Sequence, residues 1–137
     1  MARFLLDSGI LNDYINRRNG VYDRAQLQRS QGHRIGTATP VLGEMVAGMI
    51  GSRNPEANLK ALDVALNSLT LWPFDRDAAY EYGRIYAALR AKGRPMQSID
   101  IQLAAIALTL GNTVVVTKDS DLSAIDGLAV ENWAVDS

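Results

Sequence analysis

The chain has 137 residues, of which 47% are hydrophobic and 21% charged, with a single histidine and no cysteine. This is the composition of an ordinary globular chain, and one domain over 1–137 is expected. Without cysteine there is no disulfide framework, no thiolate zinc centre and no cysteine nucleophile, and the formal net charge of -1 excludes binding to nucleic acid by bulk basicity, so such binding has to come from a local patch.

The first residues carry no long apolar region of the kind a signal peptide needs, and no apolar run is long enough to span a bilayer. A cytoplasmic protein that does not enter membranes is expected.

In chain order, Phe4-Leu5-Leu6 reads as a short buried strand, and Ser8 to Arg17 as a helix with Ile10, Leu11, Tyr14 and Ile15 on one stripe. Asn19-Gly20 breaks it, and Tyr22 to Gln31 forms a more polar helix. Arg34 to Ala38 is a second strand. Thr39 is placed as an N-cap with Pro40 at the first helical position, opening a helix through Met49. Pro55 to Asn67 is a further helix, its leucines core or dimer surface, and Leu69 to Phe74 a short strand. Asp75 caps a long helix to about Lys92, ended by Gly93. Ser98 is placed as the cap of Ile99 to Leu110. Thr113 to Thr117 is the clearest strand, apolar throughout at Val114-Val115-Val116 as a central parallel strand is. A last strand is expected around Leu128 to Trp133. Alternating strands and helices give an α/β fold with a mostly parallel sheet, whose sites lie beyond the carboxyl ends of the strands.

The informative acids are those standing where an acid is costly. Glu44 is the only charged side chain between Thr37 and Arg53, and its neighbours three and four positions away are apolar or small. The helix is expected to be buried, and Glu44 with it. A buried carboxylate must be protonated, paired or bound to a cation. Asp100 stands at the amino end of an apolar stripe through Leu103, Ala104 and Ala107. It can be read either as an acid favouring the helix dipole or as a ligand. Asp7 ends the first strand and Asp119 follows the fourth, with Asp121 two residues on; acids there are also common turn formers. Together they place carboxylates at two strand ends and on two apolar helices. Oxygen ligands without histidine or cysteine suit Mg2+ or Mn2+, ions that also bind substrate phosphates.

Four segments, in this order, resemble the motifs of PIN-domain nucleases, particularly the VapC-type toxins of toxin–antitoxin pairs. They are Phe4-Leu5-Leu6-Asp7-Ser8, Thr39-Pro40-Val41-Leu42-Gly43-Glu44, Ser98-Ile99-Asp100-Ile101, and Val115-Val116-Thr117-Lys118-Asp119-Ser120-Asp121-Leu122. The closing Gly127 to Trp133 is similar to the family's last strand. The resemblance implies a three-layer α/β/α fold with about five short strands. It also implies an Mg2+- or Mn2+-dependent endoribonuclease with Asp7, Glu44, Asp100 and Asp119 as metal-binding catalytic acids, Ser8 supporting them and Asp121 as an additional or substitute ligand. The partners it implies are an RNA substrate, a VapB-like antitoxin, and a second copy of the chain in a homodimer and higher assembly. Two positions depart from the family pattern: Gly9 stands where Asn is usual, and Leu122 where Phe is frequent.

The competing readings are a PIN-like binding module with weakened catalysis, for which Gly9 leaves room, and a free-standing nuclease without an antitoxin. A haloacid-dehalogenase-like phosphatase needs a second Asp two residues after the first, and that position is Gly9. A receiver domain needs an acidic pair after the first strand, which is absent. His33 reads as a surface residue, Trp72 and Trp133 as core. Arg17, Arg18, Arg24 and Arg29, and Arg84, Arg90, Lys92 and Arg94, read as solvated faces, some available to line an RNA path.

Overall fold

The computed structural model describes residues 1–135. Five strands, β1 (Arg3–Leu6), β2 (Arg34–Ala38), β3 (Thr70–Trp72), β4 (Thr113–Val116) and β5 (Ala129–Glu131), form one sheet in the order β3-β2-β1-β4-β5. Every pairing is parallel. Six α-helices connect them: α1 (Ser8–Asn16), α2 (Val21–Ser30), α3 (Thr39–Ile50), α4 (Pro55–Leu66), α5 (Arg76–Ala91) and α6 (Ser98–Leu110). A 3-10 turn over Ser120–Ala124 precedes β5, a feature the sequence did not announce. Among the described residues no helix is long and apolar enough to cross a membrane.

The chain steps from β1 through β2 to β3 in one direction, then returns to β4 on the other side of β1. Right-handed crossovers therefore put α1 to α4 on one face of the sheet and α5 and α6 on the other, giving three layers. The strand order reverses beside β1, so the crevice beyond the carboxyl ends of β1 and β4 is the switch point where such folds bind ligands.

The core explains the strand signals. Leu5 and Leu6 of β1, Val115 and Val116 of β4, and Ile10 and Leu11 of α1 have no exposed surface. Burial of one such side chain contributes roughly 1.5–3 kcal/mol. Trp72 and Trp133 are buried, as expected. Gly36 is required by a close approach: a Cβ there would lie 2.2 Å from the Thr70 carbonyl oxygen and 2.8 Å from the Trp72 ring.

Several local expectations are corrected. Helix α3 already includes Thr39, with Ala38 at the cap position. The Thr39 hydroxyl instead accepts from the Phe74 backbone N–H at 3.2 Å, tying α3 to the end of β3. Ser98 is the first residue of α6 rather than its cap, and its hydroxyl pairs with that of Tyr82 at 3.1 Å. His33 is half-buried: its Nδ1 accepts from the Ala2 backbone N–H and its ring meets Phe4 edge-on. Asp75 caps α5 as expected, accepting from the Ala78 N–H. Of the leucines from Leu59 to Leu69, only Leu62 is buried.

The largest correction concerns α3. Of its residues only Val41 is buried, and Glu44 is exposed. The apolar sequence predicts a core helix, but α3, although it contacts β2, α1, α4 and α6, leaves much of its apolar surface open.

Candidate active site

In the β1–β4 pairing, Leu6 stands opposite Val116. The next residue of each strand, Asp7 and Thr117, therefore emerges side by side at the carboxyl edge. The Thr117 hydroxyl donates to Asp7 Oδ2 at 2.8 Å and accepts the Asp119 backbone N–H at 3.0 Å. One buried hydroxyl thus joins the two strand-end acids. Thr117 was missed as a site residue; its signal was a single polar residue closing an apolar strand. On β2, the buried Thr37 hydroxyl donates to the Leu6 carbonyl at 2.8 Å, securing the end of β1 just before Asp7.

Asp7 also caps α1: its Oδ1 accepts the Ser8 N–H at 2.7 Å. This is the one role the structure gives Ser8, through its backbone rather than its hydroxyl. Asp119 caps the 3-10 turn, its Oδ1 accepting the Asp121 N–H at 2.9 Å. Each acid is held on one oxygen by the turn that follows it, and Asp7 on its second oxygen by Thr117 at the end of β4.

Asp100 approaches from the first turn of α6 and is half-buried. Burial first, then the charges of Asp7, Asp119, Glu44 and Asp121 in that order, push its carboxyl up to about 6. This shift joins the five acids into one field: the four others are near enough to repel a charge on Asp100. Glu44 belongs to it from the exposed side, on the wall of a groove of about 450 Å³ shared with Asn12, Asn16, Arg18 and Met45. The Asp121 side chain turns outward to Arg94 at 3.5 Å, both largely exposed.

The fit to a divalent cation follows from the donors. The acids are hard oxygen ligands of like charge, and Asp100 shows the repulsion a cation would relieve. Among the described residues, however, no three of them are drawn into a cluster that could hold an ion by itself. Those two observations are compatible, because Mg2+ keeps several waters and takes substrate phosphate oxygens beside one or two carboxylates.

The crevice is also supported by a pair that sequence reasoning did not find. Asp13 of α1 is buried, and its Oδ2 accepts from Lys118 Nζ at 2.8 Å and Asn19 Nδ2 at 3.0 Å. Burial raises the Asp13 pKa, but the Lys118 and Asn19 hydrogen bonds and the charges of Lys118 and Arg18 together outweigh it and hold the carboxyl below its usual range.

Residues 4–128 match the PIN domain. The chain is 29% identical over 98% of its length to the whole of a tRNA(fMet)-specific endonuclease VapC of Shigella flexneri. Its fold is similar to that in a DNA-bound VapBC structure from Salmonella typhimurium, with a TM-score of 0.88 and 30% identity over 98% of this chain and 100% of that one. It is equally similar, at a TM-score of 0.88 and 26% identity over 96% and 98% of the two chains, to that in the structure of VapBC2 from Rickettsia felis bound to a promoter DNA fragment.

Proposed function

The chain belongs to the PIN-domain family, and from that premise we propose that it is a single-domain, metal-dependent endoribonuclease, the toxin of a VapBC-type toxin–antitoxin pair. The observation that carries the reading is the pair of strand-end acids, Asp7 and Asp119, joined through the Thr117 hydroxyl at the switch-point crevice, with the charges of both helping to push the Asp100 carboxyl of α6 up. Repulsion of this kind weakens a fold unless a cation is to be bound.

Asp7, Asp100 and Asp119, with Glu44 from the open side, would hold Mg2+ or Mn2+. When bound, the ion acidifies water and offsets charge on the phosphodiester during in-line attack. The chain's own part is placement. Thr117 fixes Asp7 and Asp119 relative to each other, and the two caps keep one oxygen of each turned to its own loop. Asp100 supplies a carboxyl that is neutral in mildly acidic solution and charged above it. Among the described residues at the crevice, the Thr117 hydroxyl is engaged by Asp7 and the Asp119 N–H, and Lys118 by Asp13, which supports hydrolysis by water.

The partners proposed are RNA, a VapB-like antitoxin and a second copy of the chain, in the cytoplasm. The VapBC complexes among the structural relatives and the endonuclease named VapC support this assignment. The test is cleavage of an RNA panel that includes tRNA(fMet). Activity is expected to vanish in excess EDTA and return with Mg2+ or Mn2+; undiminished cleavage in EDTA overturns the metal reading. Co-expression with the neighbouring small gene is expected to give an inactive complex, and failure to bind would leave a free-standing nuclease.

A further inference from the structure

Lys118 lies between the hydroxyl that joins the two strand-end acids and one of those acids. Its side chain does not turn toward them. It crosses to α1, passes the first helical turn with its Cδ 3.8 Å from where a Cβ on Gly9 would stand, and ends 2.8 Å from Asp13 Oδ2. The two partners are unequal: the Asp13 side chain is 5% exposed, that of Lys118 45%. Asp13 is fixed from a second side by Asn19, whose backbone is left-handed at φ 57°, and its carbonyl accepts the Arg18 N–H. The anchor is therefore rigid, and the strap ends on it.

We infer that Lys118 is a positioning residue, a strap that draws the Thr117–Asp121 loop onto α1 and so sets the separation of Asp119 from Asp7 for cation binding. The strap has one acid of the site at each end: Asp7 is the cap of α1, the helix that carries Asp13, and Asp119 is the neighbour of Lys118. Thr117 joins the same two elements at the sheet edge. With Lys118 the loop is fastened to α1 at a second point, about two turns along the helix, and two points fix an orientation where one leaves a pivot. A Cβ at Gly9 would make only an ordinary contact with the stem, so the strap is set by its two ends and not by the glycine.

The inference rests on the proposed metal site, and electrostatics gives it a discriminating test. A lysine that acted only as a nearby cation would repel Mn2+, so its removal would tighten Mn2+ binding. A strap does the opposite. Mn2+ binding is measured directly by calorimetry on wild type, Lys118→Met, Lys118→Arg, and the double variant Asp13→Asn with Lys118→Met. The double variant leaves net charge unchanged and leaves no buried carboxylate unpaired, which protects the fold should Lys118→Met alone be unstable. Melting curves accompany each. Lys118→Met and the double variant are expected to bind Mn2+ roughly tenfold or more weakly, the usual effect of losing a residue that orients ligands. Lys118→Arg is expected to retain most of the affinity. Wild-type or tighter affinity in the folded double variant overturns the strap while leaving the metal site intact. A wild-type protein that binds no Mn2+ overturns the metal reading and the strap together.

Discussion

Thr117 and Asp7 are 110 residues apart in sequence and 2.8 Å apart in space, hydroxyl to carboxylate, because their strands are adjacent, parallel and in register. The same hydroxyl accepts from the Asp119 N–H, so two acids of the site share one small group. Replacing Thr117 by Val keeps the shape and removes both bonds. Loss of a buried partner costs about 1–3 kcal/mol, and the melting temperature is expected to fall accordingly. RNA cleavage is expected to fall roughly tenfold or more, with Thr117→Ser restoring most of it, because serine keeps the hydroxyl. A Val variant that cuts at the wild-type rate would show that the hydroxyl serves only the fold.

Asp100 makes the stability of the metal-free protein depend on pH in a stated direction. Its folded pKa, about 6, lies above the ordinary 3.8. Below the ordinary value both folded and unfolded chains hold the proton, so the stabilising contribution is fully present. As pH rises from about 4 through 6 the folded protein has to ionise Asp100 beside its acidic neighbours, and that contribution is lost. Asp100→Asn has no charge to acquire. In EDTA, the variant is expected to melt a few degrees higher than wild type at pH 8, with the gap closing by pH 4. In the presence of Mn2+ the order reverses at pH 8, since only wild type gains the full binding energy. A difference in melting temperature that does not change with pH would remove the repulsion from the account.

Asp119 and Asp121 look interchangeable in the sequence and are separated by their geometry. Asp119 uses one oxygen to cap the 3-10 turn and belongs to the crevice, whereas Asp121 contributes its backbone N–H to that cap and turns its side chain to Arg94. Asn at 121 keeps the N–H and loses only an exposed pair worth under about 1 kcal/mol. Asp121→Asn is therefore expected to change kcat/KM less than about fivefold, and Asp119→Asn to lower it by orders of magnitude. Equal losses at the two positions would make Asp121 a ligand in its own right.

How far the sequence was legible follows from what each signal measures. The apolar run Val114–Val116 gave a central strand, because only burial on both faces tolerates such a run, and the acids at the ends of β1 and β4 then fell at the correct edge of the sheet. Helix α3 misled for a related reason. Hydropathy reports that a surface is apolar, and not whether this chain covers it, so Glu44 was expected inside and stands outside. Ser98 and Thr39 matched the residue types that cap helices, but their hydroxyls serve contacts with α5 and with the end of β3 that only the fold creates. Asp13 and Lys118 each look like an ordinary solvated charge. Their pairing depends on the 117–121 loop lying across α1, which no local pattern records.

The exposure of Glu44 changes what its substitution tests. Among the described residues no ion pair holds its carboxylate, so it does not serve to pair α3 with a basic side chain. An exposed, unpaired Glu exchanged for Gln is expected to alter stability by no more than about 0.5 kcal/mol. Its charge nevertheless acts on Asp100, to which it contributes after Asp7 and Asp119. Glu44→Gln removes that contribution. The titration of Asp100, followed by NMR of the side-chain carboxyl in EDTA, is expected to move below about 6 in the variant, since one repelling charge is gone. Mn2+ affinity is expected to weaken roughly tenfold, because a carboxylate on the open wall of the crevice is lost as a ligand or as an orienter of bound water. The two readouts separate proximity from ligation. A shifted Asp100 with unchanged Mn2+ affinity would leave Glu44 a neighbour of the site that takes no part in binding. An unshifted Asp100 with unchanged affinity would place it outside the site altogether.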